Sequence, residues 1–424
     1  MPSQRIPEIA EIGIRGGLDV RIPGAPRQSL RQAGEVRTVA ISGHDFPGVR
    51  PEFRCAVGDA VRAGQTIFVD RKRPDIAFTA PVSGTVSEIR RGRRRSLDVV
   101  VIRMDGDASE HFAVASGASS TRDLLIASGL WPSFLTRPFG RIPDADAEPD
   151  AIFVTAMDTS PLAADPKIAI GLHQEEFRRG LELVEHLTDG PVYVCHAPGA
   201  LPGQGAGGRT RHVAFTGRHP AGLPGTHVHH LAPVGNGRSV WTIDAQGIIA
   251  IGHLALNGTI KGDRIVALAG PGVRDPALVR VKSGSSLDEL LVDQLTASQV
   301  RVISGSVLAG RESGYLGHDH NQVTVLADGA EPGSGFARRW SQFLRGPRGG
   351  AIVPREAFER VLPLDILPVP LMRALSIGDV ETAHDLGCLE LVEEDLALLS
   401  RLCTTGADYG GLLRQVLDEL EGRR

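Results

Sequence analysis

The stretch that most constrains this chain runs from Ala151 to Ala197, AIFVTAMDTSPLAADPKIAIGLHQEEFRRGLELVEHLTDGPVYVCHA. Ala151–Thr155 is a short apolar run, as a strand buried on both faces requires. Phe177, Leu181, Val184 and Leu187 then recur at spacings of four, three and three, which is one face of a helix. Gly190 and Pro191 stop that helix, and Val192–Cys195 is a second apolar strand. A parallel βαβ unit in a doubly wound sheet follows from this order. Such sheets bind ligands beyond the carboxyl ends of their strands. The loop Met157-Asp158-Thr159-Ser160-Pro161 occupies that edge, which makes Asp158 and Thr159 the candidates there.

A chain of 424 residues has room for several domains around this unit. Its net charge of −4 and aromatic share of 4% argue against a nucleic-acid binder, which needs basic surface and stacking platforms. Cys55, Cys195, Cys388 and Cys403 are far apart and form no CxxC pair, which argues against a zinc ribbon or iron–sulfur cluster and suits a reducing compartment. The start of the sequence lacks the apolar core of a signal peptide, and no apolar run approaches the ~20 residues that span a bilayer. The expectation is a soluble cytoplasmic chain able to dock on a membrane complex.

Residues 1–35 read as an extended segment punctuated by Gly and Pro, and Val36–Ile41 as a strand. Between Val57 and Met104 the pattern Gly58-Asp59, Gly64-Gln65 and Ala80-Pro81-x-Ser83-Gly84 resembles the β-sandwich of biotinyl/lipoyl carrier domains, with glycines where hairpins need positive φ. Residues 36–112 are therefore expected to form a biotinyl/lipoyl-like (hammerhead) β domain. Lys72 lies near the place of the modified lysine in carriers, but Arg71, Arg73 and Pro74 are not its usual neighbours, so a plain hairpin is expected. The arginines between Arg90 and Arg95 are read as a solvated hairpin tip.

Residues 113–246 are expected to be a Rossmann-like α/β core, beginning with a helix over 119–130 closed by Gly129. The segment Leu130–Pro143 that follows carries Trp131, Phe134, Arg137, Phe139 and Arg141. Gly203, Gly205 and Gly208 form a literal G-x-G-x-x-G after a strand. No helical pattern follows to supply the N-terminus a pyrophosphate needs, so a loop is expected. His219, His227, His229 and His230 offer an HxH pair for zinc, with His227 and His229 expected on one strand face. No carboxylate at motif spacing completes a metal site, and a packed polar cluster is the expectation.

From 247 to 330 the pattern helix (248–256), strands (264–269 and 278–282) and helix (287–292) resembles the soluble-ligand-binding β-grasp (SLBB) module. Ser286 and Glu289 read as the capping box of its second helix. Residues 329–350 are rich in Gly, Pro and Arg and read as a surface loop. Residues 351–424 read as a helical domain in which Asp379 and Asp408 cap helices, Val392–Leu402 is one helix, and Cys388 and Cys403 are small apolar core residues.

Longer motifs run through the whole chain: Gly17-Leu18-Asp19, Phe78–Gly84 (FTAPVSG), Gly129-Leu130-Trp131, Thr136–Phe139 (TRPF), Phe153–Asp165 (FVTAMDTSPLAAD), His219–Gly222 with Gly225-Thr226-His227, Ile303–Ala309 (ISGSVLA) and Pro363–Pro368 (PLDILP). Together they resemble the NqrA family of sodium-translocating NADH:quinone oxidoreductases. The resemblance implies a peripheral component on the cytoplasmic side of the bacterial inner membrane, in a complex that carries electrons from NADH to ubiquinone and moves sodium outward. It implies subunits B to F as partners, with FAD, FMN, riboflavin and a 2Fe-2S cluster held by them and no redox cofactor on this chain. The order of domains also resembles the NADH-oxidising flavoprotein of complex I and the RnfC-type component of Rnf complexes. Those relatives hold FMN over a glycine-rich loop where this chain has Leu130-Trp131-Pro132-Ser133-Phe134-Leu135, side chains that would block the approach of a phosphate.

Trp131, Phe134, Arg137, Phe139 and Arg141 are accordingly expected to contact quinone or the partner subunits, and Arg137→Ala to fold normally while losing quinone reduction or assembly. No catalytic residue and no metal ligand is assigned. The alternatives are a flavin-binding component of the Rnf or complex I type, or a metal-dependent enzyme built on the histidines at 219–230.

Overall fold

The computed structural model describes residues 9–92, 96–114, 117–199, 208–235, 237–327 and 351–423. Among them the strands form four sheets. Ala151–Ala156 pairs in parallel with Val192–His196, Ile152 lying opposite Val192. Between the two runs helix Gln174–Val184, with Phe177, Leu181 and Val184 buried as their spacing requires. The last expected turn tightens into a 3-10 turn, Glu185–Leu187, that still buries Leu187. The sheet continues in the order Ile9–Gly13, Thr210–Thr216, Val192–His196, Ala151–Ala156, Val240–Asp244 and Leu135–Arg137. Its neighbours run parallel except the last, Leu135–Arg137, which pairs antiparallel with Val240–Asp244.

Alternate residues of the central strands feed two separate cores. Ile152 and Val154 pack with Phe177 and Ile248 on one face, while Phe153 packs with Val228 on the other. Helix Ala245–Asn257, whose pattern suggests a place in the β-grasp module, belongs to the first of these layers. Its Gly252 and the facing Gly180 bring it onto Gln174–Val184 at backbone contact. A Cβ at 252 would lie 1.6 Å from the Glu176 carbonyl oxygen, and one at 180 would lie 2.1 Å from that of Ile248. Periodicity fixes that a helix is buried, but not which surface it meets.

The extended N-terminal segment supplies edge strands to two sheets. Ile9–Gly13 runs parallel to Thr210–Thr216, and Arg27–Arg31 runs parallel to Ala277–Lys282. Edge backbone groups left open by each sheet are satisfied in this way. The second sheet, ordered Arg311–Glu312, Val300–Ser304, Gln322–Ala327, Asp263–Ala269, Ala277–Lys282 and Arg27–Arg31, is the β-grasp element. Its short helix Leu287–Leu290 is capped by Ser286, whose hydroxyl accepts from the Glu289 N–H at 3.4 Å. The reciprocal half of the expected capping box is replaced by a different contact. The Glu289 carboxylate accepts from the Arg37 and Thr38 N–H groups at 2.6 and 3.0 Å, tying this module to the β domain.

That β domain is a sandwich. One sheet is ordered Thr38–Ser42, Leu97–Met104, Gly84–Arg91 and Ala60–Val61, and the other Pro51–Phe53, Thr66–Asp70 and Arg73–Thr79. Ile67, Phe68, Ile76, Phe78, Val100 and Ile102 are shared between them. Lys72 is exposed on the tight turn after Asp70, whose carboxylate accepts from its N–H. Arg90 is held by Glu88 and Asp98, whereas Arg93–Arg95 lie outside the described residues.

The C-terminal unit comprises Glu356–Val361, Pro368–Ile377, Val380–Asp385, Ala397–Leu402 and Tyr409–Gly422. Asp379 and Asp408 accept from the N–H groups of Thr382 and Gly411, as N-caps do. Cys388 and Cys403 are buried in its core. The single helix expected from Val392 is divided, because Glu393–Leu396 form a 3-10 turn held by the Asp395 carboxylate, which accepts from the Val392 N–H at 2.8 Å. Gly203, Gly205 and the segment 329–350 lie outside the described residues. Among those described, no helix is long and apolar enough to cross a membrane.

Candidate functional site

The loop after Ala151–Ala156 opens, as the topology requires, onto a cavity of about 250 Å³ at the carboxyl ends of the strands. Asp158 and Asp244 come from the α/β sheet, Asp319 and Asn321 from the β-grasp module, and Glu394 from the C-terminal unit. The cavity widens past Asp158, Asp319 and Glu394 into a groove of about 1090 Å³. Sequence pattern points to Asp158 alone among these acids. Glu394 and Asp319 lie far from it in the chain, and no spacing rule links them.

The carboxylates differ in how they are held. Asp244 caps helix Ala245–Asn257 through the Gly247 N–H at 2.6 Å, and it pairs with Arg264 at 2.8 Å and with the Asn321 amide at 2.6 Å. Asp158 receives the Ser160 N–H at 2.7 Å. Asp158 and Asp319 both reach the open cleft, yet the surrounding walls displace enough water to push their carboxyls up. Glu394 is pushed up to about 7, first by desolvation and then by the neighbouring Asp395, with Asp158 adding to it and Arg137 opposing it. A carboxyl that titrates near neutrality beside other acids is able to hold and release a proton under working conditions.

Thr159 turns away from the cleft. Its hydroxyl accepts from the Gly222 N–H at 2.9 Å and lies 3.3 Å from His219 Nδ1, so it fastens the loop to the segment before helix Pro224–Leu231. The histidines are not brought together as expected. Pro224 at the first turn starts a helix rather than a strand, so His227 and His229 stand roughly 200° apart around its axis. His227 is fully buried, its Nε2 at 3.0 Å from the Ala221 carbonyl, and burial lowers its pKa to about 3. Burial likewise lowers His219 to about 4. His229 instead meets the Glu390 carboxylate at 2.6 Å. Among the described residues, no group of three His, Cys, Asp or Glu is placed to hold a metal ion.

The hydrogen bond that His229 donates to the Glu390 carboxylate is the largest cause raising the His229 pKa above 6.5, with burial opposing it. A group raised on folding stabilises the native state fully below its unfolded value and ceases to do so as the pH climbs through its folded value. His229→Gln is therefore expected to melt below the wild type in mildly acidic buffer and to converge with it in alkaline buffer. A difference in melting temperature that stays constant with pH would rule out the protonated pair.

The segment Trp131–Arg141 is largely packed within the chain, where it ties the α/β sheet to the C-terminal unit. Trp131 and Phe134 are 0% exposed and pack on Trp241 at centroid distances of 5.2 and 5.6 Å. The Trp131 indole N–H donates to the Pro143 carbonyl at 2.9 Å. Phe139, in the left-handed region at φ 80°, enters the core of the C-terminal unit. Arg141 reaches Asp418 and Glu421 on the last helix. Arg137 is 2% exposed, its Nη1 donating to Asp395 at 2.6 Å and to the Glu390 carbonyl at 3.0 Å, while Nη2 lies 3.3 Å from Glu394. Only Ser133, Leu135, Arg137 and Gly140 of this region reach the cavity wall. The aromatic and basic residues look outward in sequence because the partners that cover this segment lie up to 280 positions away.

Comparison with known proteins covers nearly the whole chain. Residues 12–105 match the NqrA N-terminal barrel-sandwich hybrid domain, 117–260 the NqrA second alpha/beta domain, and 265–314 the NQRA C-terminal domain. The NqrA protein of the Na(+)-translocating NADH-quinone reductase of Saccharophagus degradans is 44% identical over 443 residues, covering 97% of this chain and 99% of that one. Its counterpart in Pseudomonas aeruginosa PAO1 is 44% identical and that in Yersinia pestis 42%, with the same coverage. Among solved structures, an NAD+-reducing [NiFe]-hydrogenase in its H2-reduced state aligns over 73% of this chain and 63% of that chain. It does so at a TM-score of 0.39 and 12% identity, too slight a likeness to bear on fold or function.

Proposed function

The chain belongs to the NqrA family of Na(+)-translocating NADH-quinone reductases, and we propose that it is the peripheral, cofactor-free component that handles ubiquinone at the carboxylate cleft. In this reading it sits on the cytoplasmic side of the membrane complex, and subunits B to F carry the flavins and the 2Fe-2S cluster. The reading rests on Glu394, a carboxyl raised to about 7 facing Asp158 at the carboxyl ends of the strands.

The chemistry of the cleft favours a neutral, oxygen-bearing ligand. A protonated carboxyl donates to a quinone carbonyl, and reduction of that carbonyl to a hydroxyl consumes a proton together with electrons delivered by the complex. A phosphate-bearing flavin or dinucleotide meets the opposite conditions. The helix N-termini at the cleft are already capped by Asp165 and Asp244, and Asp158, Asp319 and Glu394 offer a phosphate no positive charge. Trp131 and Phe134 are fully buried at the place where the resemblance to flavin-binding relatives implies a glycine-rich loop.

Glu394→Gln in the assembled complex is expected to lower quinone reduction at least ~100-fold, while NADH oxidation with an artificial acceptor persists. The same variant reports on the proton itself. The native chain holds it between the ordinary 4.5 and about 7, so wild-type stability falls as the pH rises through that interval, and the variant should lack this fall. Quinone reduction equal to wild type in a complex that carries the variant would overturn the reading.

A further inference from the structure

Glu394 does not face the cleft by itself. Arg137, from the antiparallel edge strand of the α/β sheet, divides its guanidinium between two adjacent acids of the 3-10 turn. Its Nη1 takes the shorter bond, 2.6 Å to Asp395, and its Nη2 stands 3.3 Å from Glu394. Arg137 and Asp395 are each 3% exposed at the side chain, whereas Glu394 is 32% exposed. Asp395 is fixed from further directions. It accepts from the Val392 N–H at 2.8 Å, and the first turn of helix Pro224–Leu231 lies so close that a Cβ at Gly225 would sit 2.3 Å from its Oδ1. The helix N-terminus and the guanidinium thus both lie against the Asp395 carboxylate.

We propose that Asp395 is a positioning residue for Glu394: by claiming Arg137 it denies Glu394 a full ion pair and leaves that carboxyl turned to the cleft and able to exchange a proton. Two neighbouring acids are thereby given different tasks, one a fixed counter-charge and the other a proton carrier. The groups facing Glu394 are Asp158 from the loop after the central strand, Glu393 and Asp395 from its own turn, and Arg137 from the edge strand. Arg414 of the last helix is taken up by Glu393 at 2.6 and 2.8 Å, so it does not compete. The inference rests on the reading of Glu394 as the proton-holding group of the cleft, and its test separates the two.

The test follows the carboxyl C=O infrared band that disappears in Glu394→Gln, titrated in the full chain. Asp395→Asn keeps the shape and the acceptor for the Val392 N–H but releases the guanidinium and removes a neighbouring negative charge, and the two together are expected to lower the Glu394 midpoint by about 1–3 pH units. Arg137→Lys keeps the charge against Asp395 but cannot span both acids, and the midpoint is expected to rise by about 1 unit. In the assembled complex the Glu394-dependent limb of the pH profile for quinone reduction should move in the same two directions. A purely structural pair would lower the melting temperature in both variants and leave the midpoint in place, and that result overturns the proposal. Should Asp395→Asn fail to fold, the Arg137→Lys titration decides alone, an unmoved midpoint being the adverse outcome. If the midpoints move as stated while Glu394→Gln reduces quinone normally, the positioning role stands and the quinone reading falls.

Discussion

Arg137→Ala is expected to destabilise the chain by about 3–5 kcal/mol, the cost of leaving one member of a buried ion pair without its partner. Asp395 would keep only the Val392 N–H, and the Glu390 carbonyl would lose its donor as well. The sequence alone suggests instead that Arg137 stands in a surface-like segment and that its truncation leaves folding intact. Urea unfolding of the purified chain measures the effect directly. A midpoint within error of wild type would mean that the C-terminal unit does not depend on this pair. The comparison with Asp395→Asn is informative because the asparagine leaves the cation two other acceptors, Glu394 and the Glu390 carbonyl, and should therefore cost less.

Gly252→Ala is expected to cost about 3 kcal/mol or more, at the upper end for overpacking, because the obstacle is main chain rather than a movable side chain. The added methyl would meet the Glu176 carbonyl carbon at 2.5 Å and the Gly180 nitrogen at 2.8 Å, besides the carbonyl oxygen. Relief requires helix Ala245–Asn257 to withdraw from Gln174–Val184, which would open the core around Phe177 and Ile248. In an ordinary exposed helix the same substitution would stabilise by up to ~1 kcal/mol, so the sign of the change separates the two situations. A melting temperature equal to or above wild type would show that these helices are not in backbone contact.

Glu394 and Arg137 also illustrate how a site can be visible in part. The switch-point argument points from apolar runs alone to the edge of the sheet where the cavity opens, because a parallel βαβ unit leaves its crevice at one end only. It finds Asp158, which lies in the loop that this rule selects. Thr159, one residue on, points into protein toward His219 and Gly222, a difference that backbone direction decides and composition does not.

Most elements and their caps are legible along the chain. Apolar spacing places Phe177, Leu181 and Val184 on one helix face, Gly129 closes the first helix in the left-handed conformation, and Asp379 and Asp408 cap theirs. These are local consequences of side-chain periodicity and of backbone donors that need acceptors within a few residues. Which faces meet is settled only in three dimensions. Folding sends His227 and His229 to opposite sides of a helix, sets helix Ala245–Asn257 on the α/β sheet through two glycines, and turns Trp131, Phe134 and Phe139 inward. It also gathers Asp158, Asp319 and Glu394 around one cavity from three parts of the chain. The acids of that cavity are separated by long stretches of chain, and desolvation, which sets how they titrate, depends on all the walls at once. Neither leaves a trace in local spacing.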